Sequence, residues 1–125
     1  MENLIVEATK FTPDIALLAD ARKISFKGKS YPENTFVFYA PTIAWLKEYF
    51  KSTKGETTVD FEITYFNSSS SKLFFDIFDI FEDAVKGGDK VVINWHYDAE
   101  NESAEEAGED FKDDFETLEF NLIKK

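Results

Sequence analysis

The stretch "TYFNSSSSKLFFDIFDIFEDAV", residues 64–85, decides the fold because an alternating run of side chains changes there into a helical one. Four consecutive serines, Ser68 to Ser71, stand at the change. The run before them, residues 57–66, has the period-2 alternation of a strand with one wetter face. The residues predicted on its drier face are Val59, Phe61, Ile63 and Tyr65.

The run after the serines predicts a helix from about Ser69 to Lys86, ended by Gly87 and Gly88. At roughly 100° per residue its apolar side chains fall on one broad face, which predicts core packing. Phe75 falls instead among the charged residues of the opposite face. We expect it either to be covered by a neighbouring loop or helix, or to be an exposed residue that docks a partner.

The remainder of the chain alternates strand-like and helix-like segments. An apolar run, a hairpin and a first helix precede the strand at residues 57–66. After the helix that follows the serines come a strand, a third helix and a final strand. The predicted segments are Asn3–Ala8, Asp14–Gly28, Thr35–Ser52, Lys90–Asp98, Asn101–Phe115 and Thr117–Lys124. Helices between strands imply right-handed crossovers, and the leading hairpin makes the sheet mixed. The fold class is therefore α/β, with residues 1–125 as one domain: a mixed sheet flanked by helices.

The first helix contains a proline. Its apolar residues recur at three- and four-residue spacing: Phe36, Tyr39, Ile43, Leu46 and Phe50. Pro41 removes one backbone donor from this run. We therefore expect either a kink at Pro41 or a short turn followed by a helix that starts near it.

Composition excludes several classes of function. The net charge of -11 repels phosphate backbones and anionic lipid, which argues against nucleic-acid and membrane-surface binding. Without cysteine the chain has no disulfide, thiolate metal site or cysteine nucleophile. The N-terminus lacks the basic and apolar regions of a signal peptide, and no apolar run is long enough for a membrane span. We expect a cytoplasmic protein whose partners are proteins.

Most of the other polar residues do not indicate chemistry. His96 is the single histidine, so a metal or base role is a poor fit, and either a charged surface residue or a hydrogen-bonded strand residue is expected. The acidic run from Asp98 to Glu119 does not match a calcium loop. It predicts a solvated helix face, with docking of a basic partner as the alternative. We identify no catalytic residues, metal site or cofactor.

The serines admit two interpretations. Asn67, Ser68 or Ser69 would cap the helix, since the first backbone N–H groups of a helix lack partners. Capping leaves other hydroxyls unexplained, and the junction lacks the glycines of a nucleotide-binding loop. A covalently attached phosphate is the second interpretation, because a helix N-terminus favours negative charge. The partner-facing residues would then be Asn67, Ser69, Ser70, Ser71, Lys72 and Phe75.

Four segments carry a family resemblance: "SYPEN" (30–34), "WLKEY" (45–49), "YFNSSSSK" (65–72) and "NWHYD" (94–98). In this order and spacing they resemble the SiaC family of bacterial regulatory phosphoproteins, whose fold is similar to that of the anti-sigma-factor antagonists (STAS domains). The resemblance implies a non-enzymatic switch in partner-switching signalling. A dedicated protein kinase would modify Ser68 and a PP2C-type phosphatase would reverse it.

The resemblance also implies an effector, a diguanylate cyclase in the best-known module, which the unmodified form binds and activates. The family typically has Thr where this chain has Ser68, so Ser69 is an alternative acceptor. The other interpretation is a constitutive protein-binding module in which the serines only cap a helix. The sequence leaves the oligomeric state open.

Overall fold

The computed structural model describes residues 1–52 and 54–125, which form one six-stranded sheet and three helices. The strands are β1 (Leu4–Val6), β2 (Asp14–Leu18), β3 (Lys23–Ser30), β4 (Glu56–Phe66), β5 (Lys90–Tyr97) and β6 (Glu119–Lys124). The helices are α1 (Thr35–Ser52), α2 (Ser68–Lys86) and α3 (Glu102–Asp114). Strand order in the sheet follows chain order; β1 to β3 pair antiparallel and β3 to β6 pair parallel. The α/β class, the hairpin and the mixed sheet are thus confirmed.

The three helices pack against the same face of the sheet. Helix α1 contacts it through Tyr49, whose hydroxyl lies 2.8 Å from Thr57 Oγ1. Helix α2 places Phe74 5.7 Å from the ring of Phe61. Helix α3 places Phe111 5.6 Å from Trp95. Because Thr57 and Phe61 share one face of β4, and Trp95 pairs with Phe61, the core is a single layer between helices and sheet.

In-register aromatic residues form the centre of this core. Phe26, Phe61 and Trp95 are neighbours across β3, β4 and β5, and their rings stack at 4.6 and 5.7 Å. All three are fully buried. Burial of each such side chain contributes about 1.5–3 kcal/mol, so this row anchors the parallel half of the sheet.

The helix-free face of the sheet is polar. Ser25, Asp60, Asn94 and Asn121 lie in one row across β3 to β6. Amide donors link the last three, with Asn94 Nδ2 3.3 Å from Asp60 and Asn121 Nδ2 3.2 Å from Asn94. His96 Nε2 lies 2.8 Å from Asp60 Oδ1, so the expectation of a hydrogen-bonded strand histidine is confirmed. Side-chain hydrogen bonds thus link β4, β5 and β6 on this face.

A β-bulge near the end of β4 corrects the predicted strand face. Gly28 pairs with Ile63 but Lys29 pairs with Tyr65, so Thr64 is an extra residue in β4. An extra residue reverses which side chains point to the helices. Tyr65 is therefore 53% exposed, and Phe66 packs 5.4 Å from Phe74 in its place. The prediction that Tyr65 lies on the drier face was wrong for this reason.

Helix α1 also differs from its predicted pattern. It runs without interruption from Thr35 to Ser52, with Pro41 inside it, so it does not start near Pro41. Asn34 caps it, accepting a hydrogen bond from Val37 N at 3.1 Å. Phe36, predicted on the apolar face, is 71% exposed because that face begins one turn later, at Tyr39.

Candidate functional site

The parallel strands bring three helix N-termini to one edge of the sheet. Helices α1, α2 and α3 each begin shortly after the carboxyl end of β3, β4 or β5. In open α/β sheets this edge is where ligands and partners bind. We call it the C-terminal edge, and the four serines lie on it.

Asn67, and not a serine, caps α2. Its side chain accepts a hydrogen bond from Ser70 N at 2.9 Å, and its backbone N–H donates to Ser30 O at 3.2 Å. Because one residue satisfies the cap and ties it to β3, capping does not require the hydroxyls of Ser68 and Ser69.

Ser70 is an internal residue of the fold. Its hydroxyl donates to the Ser30 carbonyl at 2.9 Å and lies 2.8 Å from Ser30 Oγ, which in turn lies 2.6 Å from the hydroxyl of Tyr39. All three side chains are fully buried, and burial raises the pKa of Tyr39 well above its ordinary value. The place of Ser70 in the predicted partner-facing set is therefore corrected: a buried hydroxyl does not reach a partner.

The remaining serines lie at or near the surface. Ser68 and Ser69 are exposed, as is Lys72, while Ser71 and Asn67 are half-buried. Ser68, Lys72 and Phe75 follow one another at helical spacing on the side of α2 that faces away from the sheet. The structure thus brings the predicted acceptor, its alternative Ser69, and the predicted contacts Lys72 and Phe75 onto one surface.

Two grooves flank this surface. The α1–α2 groove has a volume of about 330 Å³ and is lined by Glu33, Asn34, Thr35, Phe36, Ser69, Lys72 and Leu73. The α2–α3 groove has a volume of about 280 Å³ and is lined by Phe66, Ser71, Phe75, Ala107, Asp110, Phe111 and Asp114. Ser68 lies on the ridge between them, so a group attached there faces both.

Phe75 combines the two expectations made for it. Its ring lies 4.8 Å from that of Phe115, which follows α3, so a neighbouring element covers one side. The side chain is nevertheless 40% exposed and lines the α2–α3 groove. It is therefore positioned to contact a partner.

Exposed apolar side chains concentrate at the C-terminal edge. Of the seven large hydrophobic residues exposed in the described part of the chain, five lie here: Phe11, Phe36, Val37, Tyr65 and Phe75. Tyr31 joins two of them, with ring distances of 5.3 Å to Phe11 and 5.4 Å to Tyr65. Clustered exposed apolar residues mark interaction surfaces.

Four of these five residues were missed by sequence reasoning. A signal was present at residues 36–38, where three successive apolar residues begin two residues after Asn34. One helical turn cannot bury three successive side chains on one face, so at least one must face outward. For Phe11 we find no comparable signal.

Residues 1–52 and 54–125 contain neither a metal-binding group of side chains nor a helix that could span a membrane. No group of three or more His, Cys, Asp or Glu side chains in these ranges is arranged to hold a metal ion. None of the helices formed by these residues is long and apolar enough to cross a membrane.

Comparison with known proteins gives concordant results. The model of the SiaC family regulatory phosphoprotein matches residues 6–125. An uncharacterized protein of Pseudomonas aeruginosa is 35% identical over 114 residues, which span 91% of this chain and 90% of that protein. The structure of SiaC of Pseudomonas aeruginosa has a TM-score of 0.88 and 31% identity, covering 100% of this chain and 98% of that one.

A third comparison concerns a complex. The structure of diguanylate cyclase SiaD with its activator SiaC, also from Pseudomonas aeruginosa, contains a chain with a TM-score of 0.87 and 33% identity, with 97% of each chain covered. Family model, sequence and fold agree over nearly the whole length, and on that ground this chain belongs to the SiaC family of regulatory phosphoproteins.

Proposed function

We propose that this chain is a non-enzymatic switch whose C-terminal edge binds an effector protein and whose phosphorylation on Ser68 prevents that binding. The observation that carries the proposal is the position of Ser68, an exposed hydroxyl on the ridge between two grooves and among clustered exposed apolar side chains. Ser69, exposed beside it, is the alternative acceptor. The chain acts in the cytoplasm, where kinases and their ATP are found.

The fold tolerates a phosphate at this position. A phosphoserine carries about -1.5 to -2 charges at pH 7, and the N-terminus of a helix favours negative charge by roughly 0.3–1 kcal/mol. Within the described residues, the exposed Ser68 hydroxyl makes no hydrogen bond that the phosphate would break. Phosphorylation therefore leaves the free protein folded.

A bound partner does not tolerate it in the same way. A partner that covers Phe75 and Phe36 removes water from the ridge between them, and a phosphate buried without cationic partners loses much of its hydration. Among the residues that the structure describes, the one cation lining either groove is Lys72. The negative phosphate thus opposes the apolar contact between effector and ridge. The effector therefore does not bind when Ser68 is phosphorylated.

The effector we propose is a diguanylate cyclase. The support is that a SiaC 33% identical to this chain is the activator of the diguanylate cyclase SiaD. We propose a dedicated protein kinase and a PP2C-type phosphatase as the enzymes that add and remove the phosphate, in keeping with the family description as regulatory phosphoprotein. Cyclic-di-GMP synthesis would then follow the phosphorylation state of Ser68.

The test begins with the position of the phosphate. Incubating the chain with ATP and its kinase should add about 80 Da to the peptide that contains the four serines, and Ser68→Ala should abolish the gain. Ser103→Ala, which alters an exposed serine in the first turn of α3, is the matched control. Loss of the gain only in Ser69→Ala would assign the acceptor to Ser69.

Effector binding is then compared between the two forms. Unmodified protein should bind the cyclase and raise its activity, and phosphorylated protein should bind at least tenfold more weakly. Equal affinity of both forms would leave the alternative, a constitutive binding module in which the serines have only a local structural role. The structure weakens that alternative, since Asn67 already caps the helix.

A further inference from the structure

The α2–α3 groove combines an apolar floor with an acidic rim. Three aromatic residues form the floor: Phe66, Phe75 and Phe111. Asp110 and Asp114, both exposed on α3, form the rim on one side. An apolar floor with charges of one sign at its border is the arrangement that binds an amphipathic segment.

Helix α3 supplies an unusual concentration of negative charge. It contains seven acidic residues and one basic residue, Lys112: Glu102, Glu105, Glu106, Glu109, Asp110, Asp113 and Asp114. Like charges four residues apart repel each other on a helix. The described part of the chain shows no salt bridge to any of these seven carboxylates. A cationic partner would relieve this repulsion.

The groove on the other side of α2 lacks this character. The α1–α2 groove has one acidic residue, Glu33, and one basic residue, Lys72. Charge complementarity therefore separates the two grooves, although their volumes are similar.

We infer that the α2–α3 groove is a docking site for a basic protein segment, one apolar anchor flanked by Lys or Arg. The anchor contacts Phe75 and Phe111, and the flanking cations lie against Asp110 and Asp114. This goes beyond the proposed switch, because it assigns a second partner chemistry to the acidic helix.

The segment responds to phosphorylation with the opposite sign from the effector. Ser68 lies seven residues before Phe75 on α2, about 10 Å along the helix axis. A phosphate there adds negative charge near the groove without entering it. A basic segment is therefore bound more tightly when phosphorylation releases the effector, which also covers Phe75.

A labelled helical peptide tests the site. The probe carries Leu and Trp at positions i and i+4 of one face and Lys at the remaining positions; its counterpart has Glu in place of each Lys. Fluorescence anisotropy at 50 and 200 mM NaCl should show binding of the Lys peptide that weakens with salt, and none of the Glu peptide.

Two double variants that remove the same charge distinguish binding of the Lys peptide at the α2–α3 groove from its nonspecific electrostatic attraction to the acidic protein. Asp110→Asn with Asp114→Asn should weaken binding of the Lys peptide by about fivefold or more, as expected for two rim charges. Asp76→Asn with Asp83→Asn, which removes the same charge from α2, should change it by less than about twofold. Phe75→Ala should weaken binding by about tenfold, because it removes the floor contact.

Three outcomes would overturn the inference: no binding at 50 mM NaCl, equal losses in the two double variants, or an unchanged affinity for Phe75→Ala. The variant Ser68→Glu should bind the peptide at least as tightly as the parent, and a clear loss would contradict the opposite response. The cyclase assay is independent of each of these measurements, so either idea can fail alone.

Discussion

At the scale of residues, Ser70 acts through hydrogen bonds that hold the start of α2 against β3 and α1. Ser70→Ala removes the hydroxyl that the Ser30 carbonyl and Ser30 Oγ contact, and leaves the buried carbonyl with one donor fewer. We expect the free energy of unfolding to fall by about 1–3 kcal/mol. Urea denaturation measures the loss.

The exposed neighbour provides the control for this prediction. Ser69→Ala should change the free energy of unfolding by no more than about 0.5 kcal/mol. Equal effects of the two substitutions would mean that the buried hydroxyl network contributes nothing to holding the helix start.

At Gly108, helix propensity and packing against the sheet favour different residues. Helix propensity alone favours alanine over glycine by about 1 kcal/mol. A Cβ at residue 108, however, would lie 2.6 Å from Trp95 Cδ1 and 2.7 Å from Leu122 Cδ2. Since both contacts are in the core, we expect Gly108→Ala to destabilise the protein by about 1–3 kcal/mol.

Thermal unfolding, followed by circular dichroism, measures whether Gly108→Ala lowers the melting temperature. Ser103→Ala, at an exposed position of the same helix, should be neutral or slightly stabilising. A higher melting temperature for Gly108→Ala would show that the helix moves away from the sheet at little cost, and that the close approach is not required.

These two residues show what a sequence can and cannot specify. Four serines are identical in the sequence, yet one is buried, one is half-buried and two are exposed, because the β4 bulge and the Asn67 cap fix the rotation of α2. By helix propensity alone, Gly108 would only weaken its helix. Its packing against Trp95 depends on the distance between helix and sheet, which no local pattern contains.

At the scale of elements, the bounds of the long periodic segments were predicted well, but the buried face near two of their ends was not. Helix α2 and strand β5 were placed within one residue of their observed bounds, since many side chains repeat the same period. The bounds of β4 and α1 were also predicted to within one residue, but Tyr65 and Phe36 were assigned to the buried face, and both lie at the C-terminal edge. A bulge reverses the alternation there, and a helix begins before its apolar face does.

Carboxylates on the outer face of α2 repel one another. Burial and three neighbouring carboxylates, on Asp76, Glu82 and Asp83, raise the pKa of Asp79 above its ordinary 3.8. A raised pKa means that the folded state binds this proton more tightly than the unfolded state. Ionisation of Asp79 therefore lowers stability as the pH rises through and above 3.8.

Asp79→Asn should accordingly stabilise the protein at pH 7, by about 0.2–0.5 kcal/mol per relieved like-charge pair. The gain should disappear below the ordinary pKa of 3.8, where the parent carboxyl is protonated in both states. Urea unfolding at several pH values measures it. Glu7→Gln, an exposed change far from α2, should show no such gain, and a gain for Asp79→Asn that persists at low pH would contradict the electrostatic cause.

At the scale of the whole molecule, fold and charge serve the same surface. Sequential right-handed crossovers place the helices on one side of the sheet and their N-termini at one edge, which leaves that edge free for partners. The chain carries 25 acidic and 14 basic residues, a net charge of -11. This excess keeps the exposed aromatic cluster in solution, because like-charged molecules repel one another before their apolar patches meet.

The same excess has a cost in the folded state that salt should reveal. Raising NaCl from 10 to 100 mM shortens the Debye length from about 30 Å to about 10 Å, which screens repulsion between distant carboxylates. Salt also weakens attractive pairs, but four of the five ion pairs involve lysines that are 48–68% exposed, and such pairs contribute about 0–1 kcal/mol each. Repulsion therefore dominates, and we expect the melting temperature to rise by roughly 2–4 °C.

Calorimetry of the parent at the two salt concentrations measures the rise, and a triple variant identifies its source. Glu106→Gln, Glu109→Gln and Asp113→Asn together remove three charges from the exposed side of α3, and none of these carboxylates forms a salt bridge within residues 1–52 and 54–125. This variant should melt higher than the parent at 10 mM NaCl and should gain less from added salt. A melting temperature that falls with salt would show instead that the ion pairs outweigh the repulsion, and the acidic helix would then need no cationic partner to relieve it.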